Sequence, residues 1–282
     1  MRVTVFSLLL LFSLPVFAVG YSASIDQSKW ELEASKFSCR LSQRIPLFGE
    51  GEFNQEAGET VRFTLKPLQG HGLKGQVRIL EGASPWQPGI APRHIGEVKF
   101  ASNGTIAVPT GYSQQMLGSL FRGRMPTFLA QNWADTGESV RIALSAANFP
   151  PAYAAYTDCI SDLLPVNYRQ IARTAVLFPS AQWQLSDSTK ERLDLIAIYV
   201  NNDDSVKSVF VDGHSDAQGR RLANRDLSKK RAEAVTAYLE KKGISPDRIT
   251  TRYHGERYPV AQKNDRQTRD RSRRVTIRLD RN

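Results

Sequence analysis

The chain has 282 residues, with 38 Lys and Arg against 28 Asp and Glu and a net charge of +10. This length supports two domains, each large enough to bury a core of its own. A basic chain can bind nucleic acid in the cytoplasm, but the start of this sequence predicts export and so excludes that partner. Anionic cell-wall polymer, membrane headgroups, an acidic protein or simply scattered surface charge remain as explanations.

Residues 1–18 predict a secretory signal peptide. Arg2 gives a positive start, residues 3–17 are apolar, and Ala18 is the small residue of a cleavage site. The apolar segment is too short to span a membrane, no Cys follows the cleavage point to carry a lipid, and no later stretch is apolar enough to span one. We expect a soluble exported chain, with a charge of +9 once Arg2 is removed.

Cys39 and Cys159 are the two cysteines of the chain. Widely spaced cysteines in an exported protein most simply form a disulfide. The alternative, a two-cysteine metal site, lacks nearby His or Cys partners in the sequence. Closing so long a loop stabilises the fold by roughly 4–5 kcal/mol in the chain-entropy account.

Residues 19–165 are predicted to form a first, all-β domain, an antiparallel sandwich or barrel. Apolar and polar residues alternate in short runs between Gly, Pro and Asn turns, and Asn103-Gly104 is typical of a hairpin turn. A helix over 152–164 closes the domain. The alternating runs are 61–65, 77–80, 98–100 and 140–144.

Two proline-containing segments of this domain, 85–89 and 125–128, are predicted to be rigid surface loops with apolar tips. Such tips either pack locally or contact another protein. His71 and His94 are isolated in Gly- and Pro-rich stretches, and we interpret both as surface residues. The first domain therefore offers no catalytic constellation.

Residues 166–282 are predicted to form a second, α/β domain of two helices on a mixed sheet. Strands are expected at 171–178, 206–211, 249–253 and 275–279. Ser188 with Glu191 predicts a capping box that opens the first helix, and Gly243 is typical of the C-terminal cap of the second. Seven arginines crowd 266–281, either as a solvated face or as a contact for an anionic partner.

The segment between the second strand and the second helix combines opposite charges. Asp216 lies in the predicted loop, Arg231 lies in the helix, and the helix start adds positive potential. This combination suits a zwitterion, with its ammonium on Asp216 and its carboxylate on Arg231. The alternative is an internal ion pair that only fastens the loop to the helix.

Catalytic interpretations of this segment are weaker. Asp212, His214 and Asp216 alternate as metal ligands can, but no further His or Cys lies nearby in the sequence. Adjacent residues cannot adopt triad geometry, and the sequence has no nucleophile-elbow motif. The sequence alone does not exclude a glycosidase, which needs two carboxylates at a set distance. We expect no cofactor and no metal.

The second domain resembles the OmpA-like peptidoglycan-binding family. The resemblance implies that Asp216 and Arg231 hold the diaminopimelate of the peptidoglycan stem peptide, near Asn224, and that the domain binds without turnover. The sequence departs from the family at Ser215, Thr268 and Ser272, and at Pro179-Ser180, where an Asp is typical. The pattern comprises Gly213, His214, Ser215, Asp216, Gly219, Asn224, Leu227, Ser228, Arg231, Ala232, Val235, Gly243, Ile244, Arg248, Ile249, Gly255, Glu256, Pro259, Val260, Ala261, Asn264, Arg273, Arg274 and Val275.

The first domain is similar to the N-terminal half of the MotY family, periplasmic flagellar-motor proteins with an OmpA-like C-terminal half. This resemblance implies a structural component of the periplasmic T-ring at the basal body, with stator proteins and possible MotX as partners. The alternatives are an OmpA-like envelope tether outside motility and a cell-wall enzyme. The matching segments are 39–42, 45–49, 85–89, 126–128 and Trp133.

Overall fold

The computed structural model describes residues 19–68, 75–133, 138–262 and 265–281. The predicted signal peptide, His71 and Asn264 lie outside these residues. The described chain divides into two compact units. The first comprises 19–34, 39–55 and 60–161, and the second comprises 35–38, 56–59 and 162–281.

The first unit is rich in β-structure, which confirms its predicted fold class. Its strands form two five-stranded sheets, of order β1-β10-β9-β6-β7 and β2-β3-β4-β5-β8. The strands are β1 (Val19–Ser22), β2 (Trp30–Ala34), β3 (Ser38–Ile45), β4 (Gly49–Glu56), β5 (Arg62–Pro67), β6 (Gln76–Gly82), β7 (Arg93–Lys99), β8 (Ile106–Val108), β9 (Met125–Trp133) and β10 (Glu138–Ala143).

The two sheets share an aromatic core. Phe63 of β5 and Phe128 of β9 are fully buried, and their rings stack with centroids 5.6 Å apart. Pairing is antiparallel as predicted, except that β1 runs parallel to β10. The turn at Asn103-Gly104 lies between Phe100 and Ile106, which form a single bridge. The hairpin extends no further because β8, which begins at Ile106, pairs with β5 in the other sheet.

Two segments of the first unit differ from the sequence-based expectation. Residues 125–128 were predicted as a surface loop, which is wrong: they begin β9, which pairs with strands on both sides and buries Phe128. Helix α1 (Thr110–Phe121) was not predicted, since Gly111 and Gly118 lower its intrinsic propensity. Residues 85–89 are an exposed loop, as predicted.

The closing helix of this unit, α2 (Phe149–Ser161), begins three residues before its predicted start. It carries Cys159, which forms the predicted disulfide with Cys39 of β3, with the two Cα atoms 6.0 Å apart. The disulfide therefore fastens the helix to the second sheet over a sequence separation of 120 residues.

The second unit is the predicted α/β fold, a four-stranded mixed sheet of order β11-β14-β12-β13 with two long helices. β12 and β13 are parallel and the other pairs are antiparallel. Its elements are α3 (Tyr168–Ile171), β11 (Arg173–Leu177), α4 (Asp187–Asn202), β12 (Val206–Gly213), α5 (Arg221–Lys241), a 3-10 helix (Pro246–Arg248), β13 (Ile249–Tyr253), α6 (Arg266–Ser272) and β14 (Arg274–Arg281).

The predicted capping box at Ser188 is wrong. Ser186 caps α4 instead, because its backbone is extended and its side chain accepts a hydrogen bond from the Thr189 N–H. The helix therefore starts at Asp187, one residue before the predicted cap. The residues predicted for its buried face are buried: Leu193, Ile196, Ala197 and Val200.

The close approach of α5 to β12 depends on Gly213. A Cβ at this position would lie 2.2 Å from the backbone oxygen of Ser228, a distance that no side chain tolerates. Because β12 and β13 are parallel, the loops that follow them leave the same edge of the sheet. No helix within the described ranges is both long and apolar enough to cross a membrane.

Candidate functional site

The two loops that leave the carboxyl edge of the sheet are tied together by backbone hydrogen bonds. The Ser215 N–H donates to the Gly255 carbonyl at 2.9 Å, and the His254 N–H donates to the Gly213 carbonyl at 3.0 Å. The Gly255 N–H in turn donates to Ser228 Oγ on α5 at 2.9 Å. These bonds fix the start of the Asp216 loop against β13 and α5.

Arg231 of α5 lies fully buried beneath this edge. Its guanidinium donates to three backbone carbonyls: from Nε to Gln182 at 2.8 Å, from Nη1 to His214 at 3.2 Å and from Nη2 to Pro179 at 2.9 Å. Its central carbon also lies 5.2 Å from the centre of the Phe178 ring. Neutral oxygens and an aromatic face therefore surround the cation.

No carboxylate lies within 4.0 Å of the Arg231 nitrogens among the residues that the structure describes. Burial lowers the pKa of Arg231 to about 10, against the opposing effect of the Asp216 charge. The side chain is therefore charged at neutral pH, but no described residue is its direct counter-ion. Three of its five N–H groups have carbonyl partners, and two remain for a further acceptor.

Asp216 is buried too, but its ion-pair partner is a different arginine. Its Oδ2 accepts from Arg273 Nη1 at 2.9 Å, and its Oδ1 accepts from the Gln218 N–H at 3.2 Å. The direct pair of Asp216 with Arg231, which the sequence left open as an alternative, does not form in this structure. The three charges nevertheless lie close enough to influence one another.

Arg273 is the residue that sequence reasoning missed. Besides its pair with Asp216, it donates from Nε to the Phe178 carbonyl at 3.2 Å and from Nη2 to Asp270. Its place in the OmpA-like pattern is the one signal in the sequence. Its role depends on β14 returning beside β12, 57 residues after Asp216.

The loop after β11 supplies most of the carbonyls around the two arginines. Phe178 accepts from Arg273, and Pro179 and Gln182 accept from Arg231. Ala181 adopts a left-handed conformation with a φ of 55°, which residues other than Gly, Asn and Asp rarely do. Where the OmpA-like family typically has an Asp, this chain therefore presents backbone oxygens to its arginines.

Asn224, the third predicted binding residue, connects α5 to the loop after β13. It is buried, and its Nδ2 donates to Glu256 Oε2 at 2.6 Å. The start of α5 lies nearby, and its N-cap residue, Arg220, makes no side-chain capping bond. Asn224 therefore positions the neighbouring loop beside the first turn of the helix.

The alternating residues Asp212, His214 and Asp216 do not converge on one point. Asp212 accepts from Arg252 Nε at 2.7 Å and lies 2.8 Å from His254 Nε2, whereas Asp216 pairs elsewhere. His214 is buried and stacks on His254 with ring centroids 5.1 Å apart. Within the described residues, no group of three or more His, Cys, Asp or Glu side chains is arranged to hold a metal ion.

Comparisons with known proteins match both halves of the chain. Residues 21–165 match the MotY N-terminal domain and residues 177–273 match the OmpA family. The sodium-type flagellar protein MotY of Vibrio parahaemolyticus is 32% identical over 280 residues, which cover 98% of this chain and 95% of that relative.

Two further relatives match a smaller share of the chain. The peptidoglycan-associated lipoprotein of Pseudomonas putida is 40% identical over 70 residues, which are 25% of this chain and 42% of that protein. Among solved structures, the peptidoglycan-associated lipoprotein of Burkholderia pseudomallei is 24% identical with a TM-score of 0.36, over 38% of this chain and 89% of that one.

Proposed function

This chain belongs to the MotY family, and from that premise we propose that it is a non-enzymatic structural component of a flagellar motor that binds peptidoglycan through its OmpA-family unit. On this proposal the protein is periplasmic and lies at the basal body. Residues 19–165 contact the ring, stator proteins and MotX where it is present, and residues 166–282 attach to the wall. Attachment suits such a part because stators must resist torque.

The observation that carries the wall-binding proposal is the buried Arg231, which has no carboxylate partner among the described residues. A buried charge is normally paired, and here three carbonyls satisfy hydrogen bonds without balancing the charge. A ligand carboxylate would supply that charge and accept the two remaining N–H groups. Each hydrogen bond to a charged group contributes about 1.5–3 kcal/mol.

Asp216 would bind the ammonium group of the same diaminopimelate. A carboxylate has about four acceptor positions, and Arg273 and the Gln218 N–H occupy two of them. The ammonium can therefore join these partners without displacing Arg273. Because Arg231 is fully buried, binding also requires the residues that surround its guanidinium to move and admit the ligand carboxylate.

Asp216→Asn tests this assignment with nearly unchanged shape. We expect its affinity for purified sacculi and for free meso-diaminopimelate to fall roughly tenfold to a hundredfold, the equivalent of about 1.5–3 kcal/mol. Asp270→Asn is the matched control, because Asp270 pairs with the same Arg273 but is half exposed. A folded Asp216→Asn protein that retains normal affinity for both ligands would contradict the assignment.

Deletion of the gene tests the motor role against an envelope tether outside motility. If the protein is a motor component, its deletion abolishes swimming and leaves the filaments intact. Envelope leakage with normal swimming would instead support the tether, and release of muropeptides by the purified protein would reveal an enzyme.

A further inference from the structure

A concave surface lies beside the proposed diaminopimelate site. It is a groove of about 640 Å³ between the first turns of α5 and the segment that follows β13. Three arginines line it, Arg221 and Arg225 from the helix and Arg257 from the segment. The one acid among its lining residues is Glu256, whose carboxylate accepts from Asn224.

Within the described part of the chain, the three arginines have no acidic partners. Elsewhere on α5 two exposed lysines pair along the helix, Lys230 with Asp226 at 2.9 Å and Lys229 with Glu233 at 3.7 Å. No carboxylate lies within 4.0 Å of Arg221, Arg225 or Arg257 among the described residues. The groove therefore carries a net positive charge that the protein itself does not balance, and such a concave basic surface attracts anions.

An aromatic ring holds one of these cations in place. The guanidinium carbon of Arg225 lies 5.5 Å from the centre of the Tyr253 ring, and Lys229 Nζ lies 5.9 Å from the same ring. Cation–π contacts of this length restrict an otherwise flexible side chain. The close approach of Gly255 to the Arg225 backbone, 3.4 Å from a Cβ built on the glycine, further fixes this wall of the groove.

The groove and the Asp216 site share their supporting residues. Tyr253 pairs with Gly213 in the parallel ladder, and Gly255 accepts from the N–H of Ser215, directly before Asp216. Asn224, a predicted site residue, bonds Glu256 in the groove wall. A polymer bound at Asp216 therefore carries its neighbouring groups past the arginines.

We propose that this basic groove is a second subsite for the wall peptide, which binds a free carboxylate next to the diaminopimelate residue. The inference rests on the proposed function, because it needs the peptide to be bound at Asp216 and Arg231. The peptide stems of the wall bear carboxylates, which match arginine in charge and in two-pronged geometry. An acidic partner protein is the competing occupant, and it would leave wall affinity independent of the groove.

The test uses the full mature chain and a triple variant, Arg221→Gln/Arg225→Gln/Arg257→Gln. All three positions are exposed and have no carboxylate partner in the described ranges, so we expect the variant to melt as the wild type does. Arg257→Gln alone, on the segment after β13, serves if the triple variant does not fold. A second triple variant removes the same charge from exposed positions outside the groove: Lys207→Gln/Lys230→Gln/Lys241→Gln.

We expect the arginine variant to lose about tenfold in affinity for sacculi at low salt, and the difference to shrink as salt screens the charges. Its affinity for free meso-diaminopimelate and the sacculus affinity of the lysine variant should stay within about twofold of wild type, since neither depends on the groove.

The outcomes separate the inference from the proposed function. If the wild type binds sacculi and diaminopimelate but the arginine variant binds sacculi equally well, or the lysine variant loses as much, the groove subsite is wrong and the main site stands. If the wild type binds neither ligand, the proposed function fails and the groove inference fails with it.

Discussion

Burial of the Arg231 guanidinium disfavours its charged form in the empty site and favours the binding of an anionic ligand. Three carbonyl bonds hold it in one geometry. Burial nevertheless lowers its pKa to about 10, the charge of Arg273 adds to this effect, and the charge of Asp216 opposes it. The group stays protonated at neutral pH, some three pH units below that value. An incoming carboxylate would relieve this penalty, so the same burial that disfavours the empty site favours the ligand.

His214 makes a pH-dependent contribution at the same site. Burial, with the charges of Arg274 and His254, lowers its pKa from 6.5 to about 4, and Asp212 opposes the shift. A histidine whose folded pKa is depressed stabilises the fold above its unfolded pKa and loses that stability as the pH falls. The window is therefore from about pH 6.5 down to pH 4, over which on the order of 3 kcal/mol is lost.

Urea unfolding of the wild type and of His214→Gln at pH 7.5 and pH 4.5 measures this contribution. We expect the wild type to lose more unfolding free energy on acidification than the variant, whose amide does not titrate. Equal losses in the two proteins would show that His214 is not the responsible group.

The sequence predicted only those site residues that belong to a recognisable local pattern. Asp216 and Arg231 stand out because a loop acid precedes a helix that carries an arginine, and the family resemblance includes both. The pairing of Asp216 with Arg273 depends on how β14 returns to the sheet. Arg231 is held by backbone carbonyls. Every residue has one, so the sequence could not indicate which of them accept from Arg231.

Helices and strands were predicted correctly where the local sequence pattern favours the structure that forms. The last strand alternates as β14 does, with Val275, Ile277 and Leu279 buried, and α5 ends before Gly243, which has a φ of 96°. Helix α1 and strand β9 were missed. Glycines in α1 and Pro126 in β9 oppose the observed structures locally, and packing in the first unit overrides them.

The packing of α5 on β12 predicts the effect of one substitution. Gly213→Ala would place a Cβ 2.2 Å from the Ser228 oxygen, so the helix must move away from the strand. We expect the unfolding free energy to fall by roughly 1–3 kcal/mol, measured by denaturant titration. The wall affinity should fall too, since the site loops are attached to both elements.

Gly111→Ala is the matched control, because nothing lies within 4 Å of a Cβ at that position. It lies near the start of α1, where alanine is the better helix former, so this variant should be as stable as the wild type or up to about 1 kcal/mol more stable. A Gly213→Ala protein as stable as the Gly111→Ala protein would contradict the close-packing account.

At the scale of the whole molecule, the disulfide belongs to one unit and the proposed wall site to the other. Cys39 and Cys159 both lie in the first unit, whereas Asp216 and Arg231 lie in the second. We expect Cys39→Ser/Cys159→Ser to lower the unfolding free energy of the first unit by about 4–5 kcal/mol. Scanning calorimetry checks this, with Asp216→Asn as the comparison that leaves the first unit unchanged. An unaltered transition of the first unit in the serine variant would contradict it.

Arg231 and Asp216 are assigned here to the two charges of one diaminopimelate, and two stem peptides that differ in one group test this assignment. A stem peptide with meso-diaminopimelate differs from the same peptide with lysine by one carboxylate, the group assigned to Arg231. Titration calorimetry with the mature wild-type chain should show at least about tenfold tighter binding of the diaminopimelate peptide, because lysine leaves the buried guanidinium without its counter-charge. Equal affinities for the two peptides would show that Arg231 does not bind the additional carboxylate.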